Sequence, residues 1–284
     1  MNILQSIFLG FLQGVSEFLP ISSSGHLQIA QELIGFKDIP LLFSLFLHLS
    51  TLLAVCIFFW KKIWSLLKCF GRWISKKEKK SEEPDLENDV LCRTEKAGRK
   101  TIIAIIISTI ITGAIGIVTS KFIPELPSKF VACGFLVTAI LLIVSSIYEK
   151  KTSSKTNASN SEGVSVKQSI FVGIMQGIGT LPGISRSGST ISGALFSKMD
   201  RKTAGDYSFI ISIPAIIGGF ILDLKDIGQV SEKIGALPVI ISCLTAFIVG
   251  LLSLKFFMKL IQKGKLVWFA VYLIPAGILG LLFL

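Results

Sequence analysis

Residues 102–119 and 266–284 each run about 18 residues without one charged side chain, the length that crosses a hydrocarbon core. Four further blocks, 41–60, 130–148, 206–222 and 236–257, are long enough to do the same. Two others, 2–35 and 168–198, are apolar but broken in the middle by Gly, Pro and Ser. Their unbroken pieces are shorter than the ~20 residues a span needs. Broken segments survive at membrane depth only where protein buries them or they line a wet cavity. Each therefore reads as two half-helices that enter and leave by one face. The expected fold is an all-α integral membrane protein with six transmembrane helices and two re-entrant helix hairpins.

Charge supports this layout. The net charge of +11 does not point to nucleic acid, because twelve of the 29 Lys and Arg lie between Lys61 and Lys100, outside the apolar blocks. Basic excess in loops marks the cytoplasmic face and favours contact with anionic lipid. Laid out in this way, 23 basic residues fall inside, Lys37, Lys121, Lys129, Lys225 and Lys233 fall outside, and Arg186 alone sits in the membrane. Residues 61–101 then form a solvated cytoplasmic loop, and the Ser-, Thr-, Asn- and Lys-rich stretch 151–167 a linker between two halves, 1–150 and 151–284. The five cysteines, Cys56, Cys69, Cys92, Cys133 and Cys243, are scattered singly and read as free thiols. The N-terminus has neither the basic region nor the small-residue cleavage site of a removable signal peptide.

The two broken segments align without a gap at an offset of 163 residues, FLGFLQGVSEFLPISSSGH (8–26) over FVGIMQGIGTLPGISRSGS (171–189). Eight of these 19 positions are identical, among them a shared Gln-Gly and a shared Ile-Ser-x-Ser-Gly. Three spans follow each copy, and an odd number of crossings turns the second half over. This is an inverted-topology repeat, whose site is expected near the midplane where the broken segments meet. The glycines Gly10, Gly14, Gly173 and Gly177 suit close helix packing, but that leaves the serines, Glu17, His26 and Arg186 unexplained.

Gln13 and Glu17 are four apart and share a helix face. A carboxylate at the bilayer centre costs ~2.5 kcal/mol or more unless it is paired or holds a cation. Glu17 is thus a structural partner for Arg186, a general acid or base, or a metal ligand. A carboxylate beside an amide oxygen suits a hard divalent cation, Mg²⁺ or Ca²⁺, that shares its shell with water and a phosphate. The first tip, Pro20 to His26, offers the hydroxyls of Ser22, Ser23 and Ser24 at the start of a half-helix, where the dipole favours anions. A serine there becomes a nucleophile if a base stands near, and His26 lies within a turn. In the second tip, Arg186 can clamp phosphate with two parallel hydrogen bonds, surrounded by Ser185, Ser187, Ser189 and Thr190. His48 reads as a packing or hydrogen-bonding residue, and Glu32 as solvated.

These residues resemble the undecaprenyl-diphosphate phosphatase family of the bacitracin-resistance type, which carries an (E/Q)xxxE motif, a Ser- and His-bearing loop and a PGxSRSxxT motif. Here they stand as Gln13-Gly-Val-Ser-Glu17 leading into FLPISSSGH, and as Pro182-Gly-Ile-Ser-Arg-Ser-Gly-Ser-Thr190. The resemblance runs the whole length of the chain. It implies release of phosphate from a polyprenyl diphosphate that carries cell-wall precursors, in the bacterial inner membrane, at a site open to the outer face, with metal dependence. By matching position, Glu17 assists metal binding or acid–base work, Ser23 is the proposed nucleophile, His26 its supporting acid or base, and Arg186 the phosphate clamp. Gln13 stands where many members have Glu, which removes one charge from a two-carboxylate metal site. Membrane lipids are the other expected partners, nucleic acid is not, and a homodimer is left open. The rival from another class is a lipid flippase or secondary transporter, since inverted repeats with broken helices are common among transporters.

Overall fold

A computed structural model describes residues 1–35, 41–76, 89–122, 127–152, 162–223 and 235–283. Among these the chain is entirely helical. The first half holds α1 (Ile3–Ser16), α2 (Ser23–Leu33), α3 (Leu41–Phe58), α4 (Trp60–Ile74), α5 (Glu95–Phe122) and α6 (Ser128–Thr152). The second holds α7 (Val166–Ile178), α8 (Arg186–Phe196), α9 (Arg201–Asp223), α10 (Ala236–Gln262) and α11 (Val267–Phe283). Among the described residues, α5, α6, α9 and α10 are long and apolar enough to cross a bilayer, and α3 with α4 adds a fifth as a bent pair. The protein is a multi-pass membrane protein.

The broken segments are built alike, down to their caps. Asn2 and Gln5 close a capping box at the start of α1, and Ser165 and Gln168 do the same for α7 at the same offset of 163 residues. The second helix of each pair doubles back on the first. Gln168 at the start of α7 donates to the Ser197 carbonyl just past α8, at 3.0 Å. Met1 and Ile34, at opposite ends of the α1–α2 segment, pack on one cluster around Leu9, Leu27 and Ala30.

Packing crosses between the halves. α1 lies mainly against α10, and α7 against α5. The repeated glycines make these contacts. A Cβ on Gly14 would lie 2.9 Å from the Ala246 carbonyl, and one on Gly173 2.9 Å from the Ser108 Cα. Helices this close leave no room for a side chain between them, which fits glycines placed four apart. Each hairpin is thereby clamped by the opposite half, and their tips meet.

The stretch 61–101 differs from the expected loop. Residues 60–74 form α4, bent 78° away from α3, and α5 already begins at Glu95. The reason lies in the side chains. Ser65, Leu66 and Cys69 turn inward, Trp60, Trp64, Leu67 and Ile74 form an exposed apolar stripe, and Lys61 and Lys68 flank it. That is the pattern of a helix lying in a membrane interface. Residues 77–88, the charged heart of the segment, and 153–161, most of the linker, lie outside the described residues. Cys69 sits against Glu95, and burial together with that carboxylate pushes its thiol up to about 11.

Lys62 is half-buried at the bend rather than solvated. It pairs with Asp206 of α9 and, at 2.6 Å, with Asp89, both carboxylates nearly inaccessible. Its ammonium also lies 5.8 Å from the Phe59 ring centroid. Removing one member of a buried pair leaves uncompensated charge, at about 3–5 kcal/mol. Lys62→Ala is accordingly expected to lower the Tm in detergent sharply, and Lys62→Arg to recover much of it. An unchanged Tm for Lys62→Ala would show that water screens this cluster.

Candidate active site

Ile-Ser-x-Ser-Gly proves to be a helix start, used twice. Ser22 caps α2, its hydroxyl accepting from the Gly25 N–H at 3.4 Å, and Ser185 caps α8, accepting from the Gly188 N–H at 3.1 Å. The second serine of each motif lies beside the first, Ser24 at 3.4 Å from Ser22 and Ser187 at 3.2 Å from Ser185. The variable position is the first residue of the helix: Ser23 in one copy, Arg186 in the other. Both helix starts face one cavity of about 200 Å³. Two N-termini aimed at one space give it an anion-attracting field before any side chain is counted.

Glu17, at the C-cap of α1, is the hub. Its Oε1 pairs with the Arg186 guanidinium. Its Oε2 accepts from Ser23 Oγ at 2.6 Å and from Gln13 Nε2 at 3.1 Å, and lies 3.4 Å from His48 Nε2. The carboxylate is almost wholly buried, its side chain 3% exposed, so these four partners replace water. Arg186 Nη1 is buried without a hydrogen-bond partner. One arm of the fork thus holds Glu17 and the other is uncommitted. Ser22 adopts φ +70, a left-handed region that costs a residue with a Cβ about 1–3 kcal/mol. Its counterpart Ser185 has φ −75, so the strain belongs to the tip that presents Ser23.

Of the residues singled out from sequence, Glu17, Ser22, Ser23, Ser24, Ser185 and Arg186 line the cavity. Gln13 stands behind Glu17, and its Oε1 is buried with no partner. Ser187 and Thr190 do not line it. Ser187 donates to the Leu19 carbonyl, and Thr190 back to the carbonyls of Arg186 and Ser187. His26 turns away as well. Its Nδ1 is 2.8 Å from the Ser22 carbonyl, which can only accept, so that nitrogen carries the proton; Nε2 then accepts from the Tyr272 hydroxyl at 2.6 Å. Its ring stacks on Phe135 and Tyr272. Both nitrogens are engaged, and the expectation that His26 serves as acid or base to Ser23 is not met by this geometry. It braces the tip instead.

His48, read from sequence as a packing or hydrogen-bonding residue, makes polar contacts and lines the cavity. Its Nδ1 lies 2.7 Å from the Ser44 carbonyl, which directs Nε2 toward Glu17. A histidine on α3, 31 residues from Glu17, gave no sequence signal of that contact. Thr112 also reaches the cavity, accepting from Gln176 Nε2 at 3.1 Å.

The described residues contain no group of three or more His, Cys, Asp and Glu able to hold a metal ion. The donors at hand are one carboxylate, the unpartnered amide oxygen of Gln13 and serine hydroxyls. All are hard oxygens, too few for a closed cage, and they suit a cation that completes its shell with phosphate.

The sequence that builds this ion-paired arginine, these two helix N-termini and this serine on a buried carboxylate matches a known family along nearly its whole length. The sequence profile of that family, the bacitracin resistance protein BacA, covers residues 6–279. The chain belongs to the BacA family. It is 42% identical over 278 residues to an undecaprenyl-diphosphatase of Treponema denticola, covering 98% of this chain and 96% of the relative. Proteins of the same name in Desulforapulum autotrophicum (34%, covering 99% and 98%) and Borrelia recurrentis (35%, covering 96% of each) are similar over the same extent. The BacA profile thus spans both hairpins and every helix that lines the cavity.

Proposed function

We propose that this chain is an undecaprenyl-diphosphatase, a membrane phosphatase that converts undecaprenyl diphosphate to the monophosphate and inorganic phosphate. The observation that carries the reading is Arg186, with one guanidinium nitrogen on Glu17 and another buried without a partner, at the start of one of the two helices whose N-termini face the cavity. Named relatives similar over nearly the whole chain support it.

In this reading Ser23 attacks the terminal phosphorus. A carboxylate only accepts, so the Ser23 hydroxyl proton points at Glu17 and its lone pairs face the cavity. Glu17 takes that proton as the Oγ–P bond forms and the anhydride P–O bond breaks, releasing undecaprenyl phosphate. Water then cleaves the phosphoserine to give inorganic phosphate and restore the hydroxyl. Arg186 Nη1 and the N–H groups at the starts of α2 and α8 offset charge on the transferred phosphoryl group. A divalent cation, held by Glu17 and Gln13 Oε1, would supply further neutralisation of the diphosphate. His48 Nε2 steadies Glu17, and His26 with Tyr272 holds the strained Ser22 tip in place.

The hairpins α1–α2 and α7–α8 are taken as re-entrant and the six remaining apolar segments as spans, in the inner membrane, with the cavity reached from the outer face. The basic loops and the crosswise packing of the halves support that orientation. The deciding assay is phosphate release from undecaprenyl diphosphate by the purified protein in detergent, with and without chelator. Release in detergent, where no gradient exists, establishes the phosphatase. Lipid movement in vesicles without phosphate release would favour the flippase.

A further inference from the structure

The two halves do not close equally around the cavity. Gly10 meets Ser242 and Thr245 of α10, while its repeat partner Gly173 meets Ser108 and Ile111 of α5. Positions in α5 and α10 therefore correspond at an offset of 134 residues, and Gly116 is the counterpart of Gly250. A Cβ on Gly250 would stand 2.9 Å from the Phe18 ring and 3.5 Å from the Thr51 methyl, whereas one on Gly116 would meet nothing within 4 Å among the described residues. The second hairpin has Leu181 where the first has Phe18. The gap that a phenyl ring plugs in one half is open in the other.

The opening continues from the cavity. α5 and α9 meet where Ser108 Oγ and the Tyr207 hydroxyl lie 2.8 Å apart. Further along, Thr112 and Ala215 line the cavity. One turn beyond, on the same faces, a Cβ on Gly116 or Gly219 would meet no described residue within 4 Å. Both helices thus lack a side chain one turn beyond the cavity, on the faces that line it.

We propose that this slot between α5 and α9 takes the first isoprenoid units of the substrate tail, with Gly116 and Gly219 as its walls. It rests on the phosphatase reading above. An apolar tail attached to a diphosphate gripped by Arg186 cannot stay among serines and a glutamate, and burial of its methylenes favours an apolar exit. Backbone without Cβ lets a methyl-branched chain lie close against both helices. Ile216, which also lines the cavity, starts the apolar surface.

The test fills the slot. Gly116→Leu and Gly219→Leu enter open space and raise helix propensity, so folding is retained. Gly113→Leu, also facing open space but off the line from Thr112, is the control. Phosphate release from undecaprenyl diphosphate is followed in detergent, together with inhibition by inorganic pyrophosphate, which has the headgroup without the tail. Each slot variant is expected to raise KM for the lipid about tenfold or more, with kcat and the pyrophosphate Ki within twofold of the unsubstituted protein and Gly113→Leu unchanged. A KM within twofold in both slot variants, a Ki that moves with KM, or an equal effect from Gly113→Leu overturns the slot. No release by the unsubstituted protein would instead sink the phosphatase reading, and the slot with it.

Discussion

Arg186→Ala is expected to cut phosphate release by about 10³-fold or more, the scale on which a single arginine acts in phosphoryl transfer. The loss combines two effects of one side chain. The unpartnered Nη1 is lost from the start of α8, and Glu17 loses its cationic partner while remaining buried. Ser23, Gln13 and His48 still surround the carboxylate, and the crosswise clamping of the hairpins does not involve the guanidinium, so the protein should still elute as a folded species on gel filtration, with a Tm lowered by the uncompensated Glu17 charge. Arg186→Lys keeps the charge but cannot hold Glu17 and phosphate at once through a planar fork, and should recover only part of the rate. Turnover near that of the unsubstituted protein in Arg186→Ala would remove the clamp from the mechanism.

Ser23→Ala should be comparably severe, on the order of 10³-fold, as removal of a nucleophile from a preassembled site generally is. The intermediate is the sharper readout. With substrate labelled in the terminal phosphate, acid quenching of the unsubstituted protein should trap label on the chain, and Ser23→Ala should trap none. Label retained on Ser23→Ala would move the attack to another group. Slow turnover of the unsubstituted protein without a trapped intermediate would favour direct attack by water, with Ser23 reduced to ordering Glu17.

Much of the site was legible because membranes penalise polar groups. Glu17 and Arg186 stand out in apolar sequence for that reason, and the structure pairs them across the two halves. The repeat was legible because identical residues do identical work. Ser22 and Ser185 cap helices, Gly25 and Gly188 donate to those caps, and Gly10, Gly14, Gly173 and Gly177 seat the hairpins. The positions where the copies disagree carry the proposed chemistry: Glu17 opposite Thr180, and Ser23 opposite Arg186. Matched residues build the frame, and unmatched ones use it.

Sequence alone determined the all-helical class, the membrane setting, the doubled hairpin and the family, since each rests on local hydropathy, spacing or identity along the chain. Tertiary structure decided which side chains share the cavity, because that depends on packing between residues far apart in sequence. Tyr272 and Phe135 draw His26 away from Ser23, while α3 carries His48 to Glu17. Lys62 is drawn out of solvent by Asp206 on a helix of the other half. Gly250 is likewise brought against the Phe18 ring, while its counterpart Gly116 meets no described residue within 4 Å.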